Sequence, residues 1–159
     1  MSILKSKRNE STAEYVNIAD LIYEYTLLFM TKLSNRYQRL LSADTMRLAS
    51  EVIDNAEKAN NIKITDNVSY ELRRTHLLEA RSVVMAFDVH MAYIWRVMMT
   101  NPQGCFTNTN GETKTPKEAK KILNKMADDL GNYIDEFKNK VSALLISDTK
   151  RYKEKIKNK

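Results

Sequence analysis

Side chains suited to acid–base, metal or nucleophilic chemistry are scarce in this 159-residue chain, which has two histidines, His76 and His90, and one cysteine, Cys105. A di-iron site in a helical bundle needs Glu-x-x-His on two helices and two further inward glutamates. The residues three before the histidines are Arg73 and Phe87, so that enzyme class is excluded. The histidines lie 14 residues apart, about 21 Å along a helix axis, and cannot share a metal within one chain. Polar positions at a helix–helix or subunit contact are their expected role. Glu79 and Asp88 beside them are expected to form ion pairs along or between helices. Cys105 has no neighbouring histidine and no nucleophile signature, so a structural thiol is expected. No glycine-rich loop is present to cradle phosphate. The residues predict neither an enzyme nor a metal or cofactor site.

Helices must position whatever function remains, since glycine and proline number only three and two, few for a chain rich in turns. Ser11 with Glu14 forms a capping-box pattern, followed by apolar residues at helical spacing from Tyr15 to Leu33, which predicts a helix over 12–32. Ser34 and Asn35 break it, and a second helix is predicted over 36–61 on Tyr37, Leu41, Leu48, Val52, Ala56 and Ala59. Asp66 is the expected cap of a third helix, 67–100, whose seam is Leu77, Ala80, Val84, Phe87, Met91, Ile94 and Met98. Thr115-Pro116-Lys117-Glu118 combines a cap, a first-turn proline and a box-closing glutamate. It opens a fourth helix on Ala119, Leu123, Met126, Leu130, Tyr133, Phe137, Val141 and Leu144, expected to end near 146. Gly131 within it predicts close backbone packing. The fold class is therefore all-α, an antiparallel up-down-up-down four-helix bundle. A hairpin-like loop is expected between helices three and four, with Cys105-Phe106-Thr107 paired to Glu112-Thr113-Lys114 around Asn110-Gly111. Phe106 is expected to fold back onto the bundle end. The expected organisation is a basic arm over 1–11, the bundle over 12–146 and a cationic tail over 147–159.

Composition bounds the rest: 43% hydrophobic and 29% charged residues suit one domain with a real core. No apolar run approaches the roughly 18 residues of a membrane span, and no apolar stretch follows the N-terminal basic residues as in a secretory signal. With one cysteine, a reducing cytoplasm is the expected compartment and no membrane partner is expected. The net charge is +6, and residues 1–10 and 147–159 carry +2 and +4 of it, leaving the body neutral. In an antiparallel bundle one pole would collect Lys32, Arg36, Arg39, Arg96, Lys114, Lys117, Lys120, Lys121 and Lys125. Only Asp44, Glu112 and Glu118 oppose them there. Lysines in the first turns of helix four work against the helix dipole, a local cost that points to function. The opposite pole would hold both termini with Lys58, Lys63, Arg73 and Arg74. An anionic partner follows, with nucleic acid ahead of acidic protein because arginines are plentiful. Lys150, Arg151 and Lys153 in the tail are further expected phosphate contacts. Trp95 and the eight tyrosines could stack on bases, but most fall beside core positions, where packing is their expected role. Tyr93 and Trp95, offset from the seam, are expected at a subunit interface if exposed.

Three stretches carry a resemblance: Asn55-Ala56-Glu57-Lys58-Ala59, Leu78-Glu79-Ala80-Arg81-Ser82 and Leu130-Gly131-Asn132-Tyr133-Ile134. On these, residues 13–145 resemble the four-helix-bundle family that includes proteins encoded in rRNA intervening sequences and the accessory variability determinant (Avd) proteins of diversity-generating retroelements. The resemblance implies a cyclic homo-oligomer, a pentamer being the expected form. It also implies a basic surface offered to RNA and association with a reverse transcriptase. No functional residue transfers from the family. Arg73, Arg74 and Arg81 are nucleic-acid candidates from their place on the third helix.

Two functions of different class follow. One is a non-enzymatic RNA-binding accessory factor to a reverse transcriptase. The other is an oligomeric protein-interaction adaptor whose charge only keeps it soluble. A small-ligand carrier using the bundle core has no polar constellation to support it.

Overall fold

The computed structural model describes residues 13–106, 111 and 114–157. Among them the chain is all-helical: α1 is Glu14–Met30, α2 Asn35–Asn61, α3 Asn67–Thr100 and α4 Pro116–Lys157, with a short 3-10 segment, Pro102–Phe106, after α3. No strand occurs among the described residues.

Local chemistry explains most of the boundaries. α3 opens on a capping box in which the Ser69 amide donates to Asp66 Oδ1 at 2.8 Å and the Asp66 amide to Ser69 Oγ at 3.0 Å. These hydrogen bonds hold the Asp66 carboxyl below its ordinary pKa. α4 opens on the reciprocal Thr115–Glu118 pair, with the Thr115 amide donating to Glu118 Oε2 at 3.1 Å and the Glu118 amide to Thr115 Oγ1 at 3.3 Å. α1 starts differently: Ala13 takes the cap position without a side-chain bond, and Ser11 lies outside the described residues. α1 ends by tightening, since Lys32 and Leu33 donate to the carbonyls three residues back.

The core is built from the apolar stripes. All seven seam residues of α3 are buried, together with Val16, Ile18, Ala19, Ile22 and Phe29 of α1, Leu48, Val52, Ala56 and Ala59 of α2, and Leu123, Leu130, Ile134, Phe137 and Val141 of α4. Tyr37, expected inside, is exposed at the start of α2. Each helix packs on two others, α1 and α3 both lying against α2 and α4. Contacting pairs fall in opposite order along neighbouring helices. Tyr70, Arg73 and Trp95 of α3 meet Thr149, Asp148 and Asn124 of α4. Glu14 and Tyr25 of α1 meet Lys140 and Tyr133. Asn55 and Ala59 of α2 meet His76 and Arg73.

Three local expectations change. α4 does not end near 146 but continues to Lys157. The extra turns have a surface to pack on: Asp148 is buried against Arg73, and the Tyr152 ring stacks on Tyr70 at 4.2 Å. Residues 147–157 are thus continuous with the bundle rather than a separate tail. Cys105 and Phe106 belong to the 3-10 segment, so they form no strand of a hairpin. Residues 107–110, 112 and 113 lie outside the described ones; Gly111, with φ 78°, does adopt the left-handed conformation of a turn. Finally, Gly131 makes no close approach. A Cβ there would meet nothing within 4 Å, and the residue borders a hollow of about 120 Å³ with Phe29, Met91, Leu130 and Ile134.

Candidate nucleic-acid interface

The α1–α2 corner, the end of α3, the 3-10 segment and the start of α4 meet at one end of the molecule. Leu33, Ser34 and Tyr37 line a common crevice with Val97, Met98, Asn101 and Cys105, and Trp95 Nε1 donates to Asn124 Oδ1 at 3.2 Å. Phe106 folds back on this end, packed against the core with Lys32 Nζ 5.5 Å from its ring centroid, a cation–π distance. Burial raises the Cys105 thiol pKa, with Lys32 opposing. A thiol held protonated is a poor nucleophile.

This end brings together the first group of basic residues. Arg36, Arg39, Arg96, Lys114, Lys117, Lys120, Lys121 and Lys125 are all exposed, and Lys32 is half-buried. Arg96 lies 5.7 Å over the exposed Tyr93 ring. Glu118 accepts from Thr115, and this hydrogen bonding lowers its pKa and holds it as a single negative charge among these cations. Among the lysines at this end of α4, Lys125 lies 2.9 Å from Asp129. Both groups are at the surface, so the pair is weak and its charge stays available to a stronger anion.

The α3 candidates separate. Arg73 is largely enclosed, its side chain 13% exposed, with Nε donating to Asp148 Oδ2 at 2.6 Å and Nη1 to the Ala59 and Ile62 carbonyls. It closes the C-terminus of α2 and is not a freely exposed contact. The expectation from sequence missed this because the acid lies 75 residues away on α4. Arg74 is exposed beside Glu71 at 3.7 Å, and Arg81 is exposed midway along α3. Lys150, Arg151 and Lys153 are exposed on the final turns of α4, held in helical register rather than on a loose tail.

Residues with possible chemistry are dispersed. His76 Nδ1 lies 3.3 Å from both Asn55 Oδ1 and Glu79 Oε2 at the α2–α3 contact, while His90 is exposed. Among the described residues no three histidine, cysteine or acidic side chains gather as a metal site would require. Among the same residues no helix is long and apolar enough to cross a membrane. Trp95 is half-buried against the core, but Tyr93 is 58% exposed. Tyr93 continues an outward row on α3 with Leu78, Met85 and Val89, which are 40%, 54% and 53% exposed. Their spacing of seven, four and four residues keeps them on one face, opposite the core seam. The rows of buried residues gave no warning of this second stripe, which is visible in sequence only once the seam is assigned. Comparison with known proteins brings no match to a protein family, to a curated protein or to a solved structure.

Proposed function

We propose that the protein is a non-enzymatic RNA-binding accessory factor, similar to the accessory variability determinant proteins, that assists a reverse transcriptase in a diversity-generating retroelement. One observation carries the polyanion reading: Lys114, Lys117, Lys120 and Lys121 are all exposed at the start of α4, at the same end as the exposed Arg36, Arg39 and Arg96, and outnumber the one carboxylate of that first turn, Glu118. Lysines placed there oppose the helix dipole, and a phosphate backbone would relieve that repulsion. The reading includes an antiparallel up-down-up-down bundle, supported by the opposed order of contacts between neighbouring helices. It includes a homo-oligomer, a pentamer by resemblance, supported by the apolar row Leu78, Met85, Val89 and Tyr93. A water-facing helix gains by covering such a row with a second copy.

The apolar row also favours a second reading, an adaptor that binds another protein and no nucleic acid. Titration of a structured RNA at rising salt separates the two. Under the first, affinity falls steeply with salt, and Lys117→Glu with Lys120→Glu and Lys121→Glu abolishes binding. Affinity indifferent to both rejects it and leaves the adaptor.

A further inference from the structure

Opposite the proposed RNA end, a cleft of about 290 Å³ opens between the α2–α3 connection and the last turns of α4. Lys63, Arg73, Arg151 and Lys155 line it, with Asp148 and the Ile62–Ile64 backbone. Four cations thus face a single carboxylate, and that carboxylate already accepts from Arg73 Nε at 2.6 Å.

Like charges gathered in a concavity repel one another, so the arrangement costs stability unless an anion enters. The surroundings hold it in place nonetheless. Tyr152 stacks on Tyr70 with the rings 7° from parallel, and its hydroxyl donates to Asn67 Oδ1 at 2.8 Å. Lys155 Nζ donates to the Ile64 carbonyl at 2.8 Å, which leaves its other N–H bonds for a ligand. Arg73 is fixed by Asp148 and by the Ala59 and Ile62 carbonyls. Arg151 is carried between these fastenings on the same helix, and Lys63 on the connection itself. Arg73 and Lys155, already held by these contacts, lose little further entropy on binding.

We propose that this cleft binds a phosphomonoester. With a net of +3 from the lining side chains, it favours a group carrying nearly two negative charges over a singly charged phosphodiester. Guanidinium and ammonium donors together match the several acceptor oxygens of a terminal phosphate. The ligand is the 5′-phosphate of a nucleic-acid strand or that of a free nucleotide. The strand form rests on the RNA-binding reading above; the nucleotide form does not.

The test uses the full chain and fluorescently labelled single-stranded RNA bearing either a 5′-phosphate or a 5′-hydroxyl, with adenosine 5′-monophosphate as competitor. The expected result is an affinity about tenfold higher for the phosphorylated strand, a modest gain for charge-assisted hydrogen bonds. Lys63→Glu with Arg151→Glu, and the milder Lys63→Gln with Arg151→Gln, should erase that difference. Arg47→Glu, which lies outside the cleft and changes the charge by as much as the glutamine pair, should keep it, and unfolding curves confirm that each variant is folded. A phosphorylated strand that binds no better in the wild-type protein, or a preference that survives in the cleft variants, overturns the strand form. If neither strand binds, the RNA reading fails. The cleft then stands only if adenosine 5′-monophosphate binds by calorimetry and loses that binding in the same variants. Absence of both overturns the proposal.

Discussion

Arg73 shows how much a single residue can carry. From α3, its guanidinium ties in two other segments: Asp148 of α4, and the Ala59 and Ile62 carbonyls at the end of α2. The pair is 13% and 7% exposed, so removing either partner strands a charge in poor solvent. Arg73→Ala or Asp148→Ala should destabilise by roughly 3–5 kcal/mol, measured by urea unfolding. Replacing both with apolar residues of similar size should cost far less than the two single changes together. Gly131 predicts the opposite sign. A methyl group there meets no atom within 4 Å, so Gly131→Ala should stabilise by about 1 kcal/mol through helix propensity, again read from unfolding. Neither effect was legible in the sequence. Arg73 reads there as one more surface cation, and Gly131 as a point of close packing, because the partner or the empty space belongs to other helices.

At the scale of elements, the caps and the seams were the legible part. Asp66 and the Thr115–Glu118 pair mark helix starts because their chemistry is local, confined to residues i to i+3. The α3 seam was legible because its alternating spacing of three and four matches one face over almost the whole helix. The end of α4 was not legible, since its lysine-rich sequence reads as a solvated tail until Asp148, Thr149 and Tyr152 find their partners on α3. The caps carry a pH dependence. Hydrogen bonds from Ser69 to Asp66 and from Thr115 to Glu118 lower both carboxyl pKa values in the folded state. The stabilisation is therefore fully present above the unfolded value, near 4, and is lost as pH falls through the lowered folded values. The melting temperature should stay level from neutral pH to about pH 5 as far as these caps contribute, and fall at greater acidity. Asp66→Asn, which keeps a capping oxygen without a charge, should make that acid limb shallower without much loss at neutral pH. The outward row of α3 makes a separate prediction. Under the proposed homo-oligomer, Met85→Glu with Val89→Glu should leave the fold intact and shift native mass to the monomer; a wild-type chain already monomeric contradicts the proposal, and an oligomer unchanged in the variant places the contact elsewhere.

For the molecule as a whole, charge distribution matters more than net charge. The excess of +6 is assigned by sequence to the two chain ends, yet the fold moves part of it. The C-terminal cations become one wall of a cleft, while the cations of α4's first turns meet those of the α1–α2 corner and the end of α3. Most of the candidate interface was legible from the helix order, which places those ends together. What escaped was the pairing that withdraws Arg73 and partly engages Lys125. The central claim is that the cations at the start of α4 bind the phosphate backbone, and the salt dependence of RNA affinity tests it most directly. Fluorescence anisotropy of a structured RNA between about 50 and 200 mM salt should show the logarithm of affinity falling linearly with that of salt concentration. The Lys117→Glu, Lys120→Glu, Lys121→Glu variant should lose binding throughout that range. An affinity that stays level across the titration, and is the same in the variant, would contradict the account.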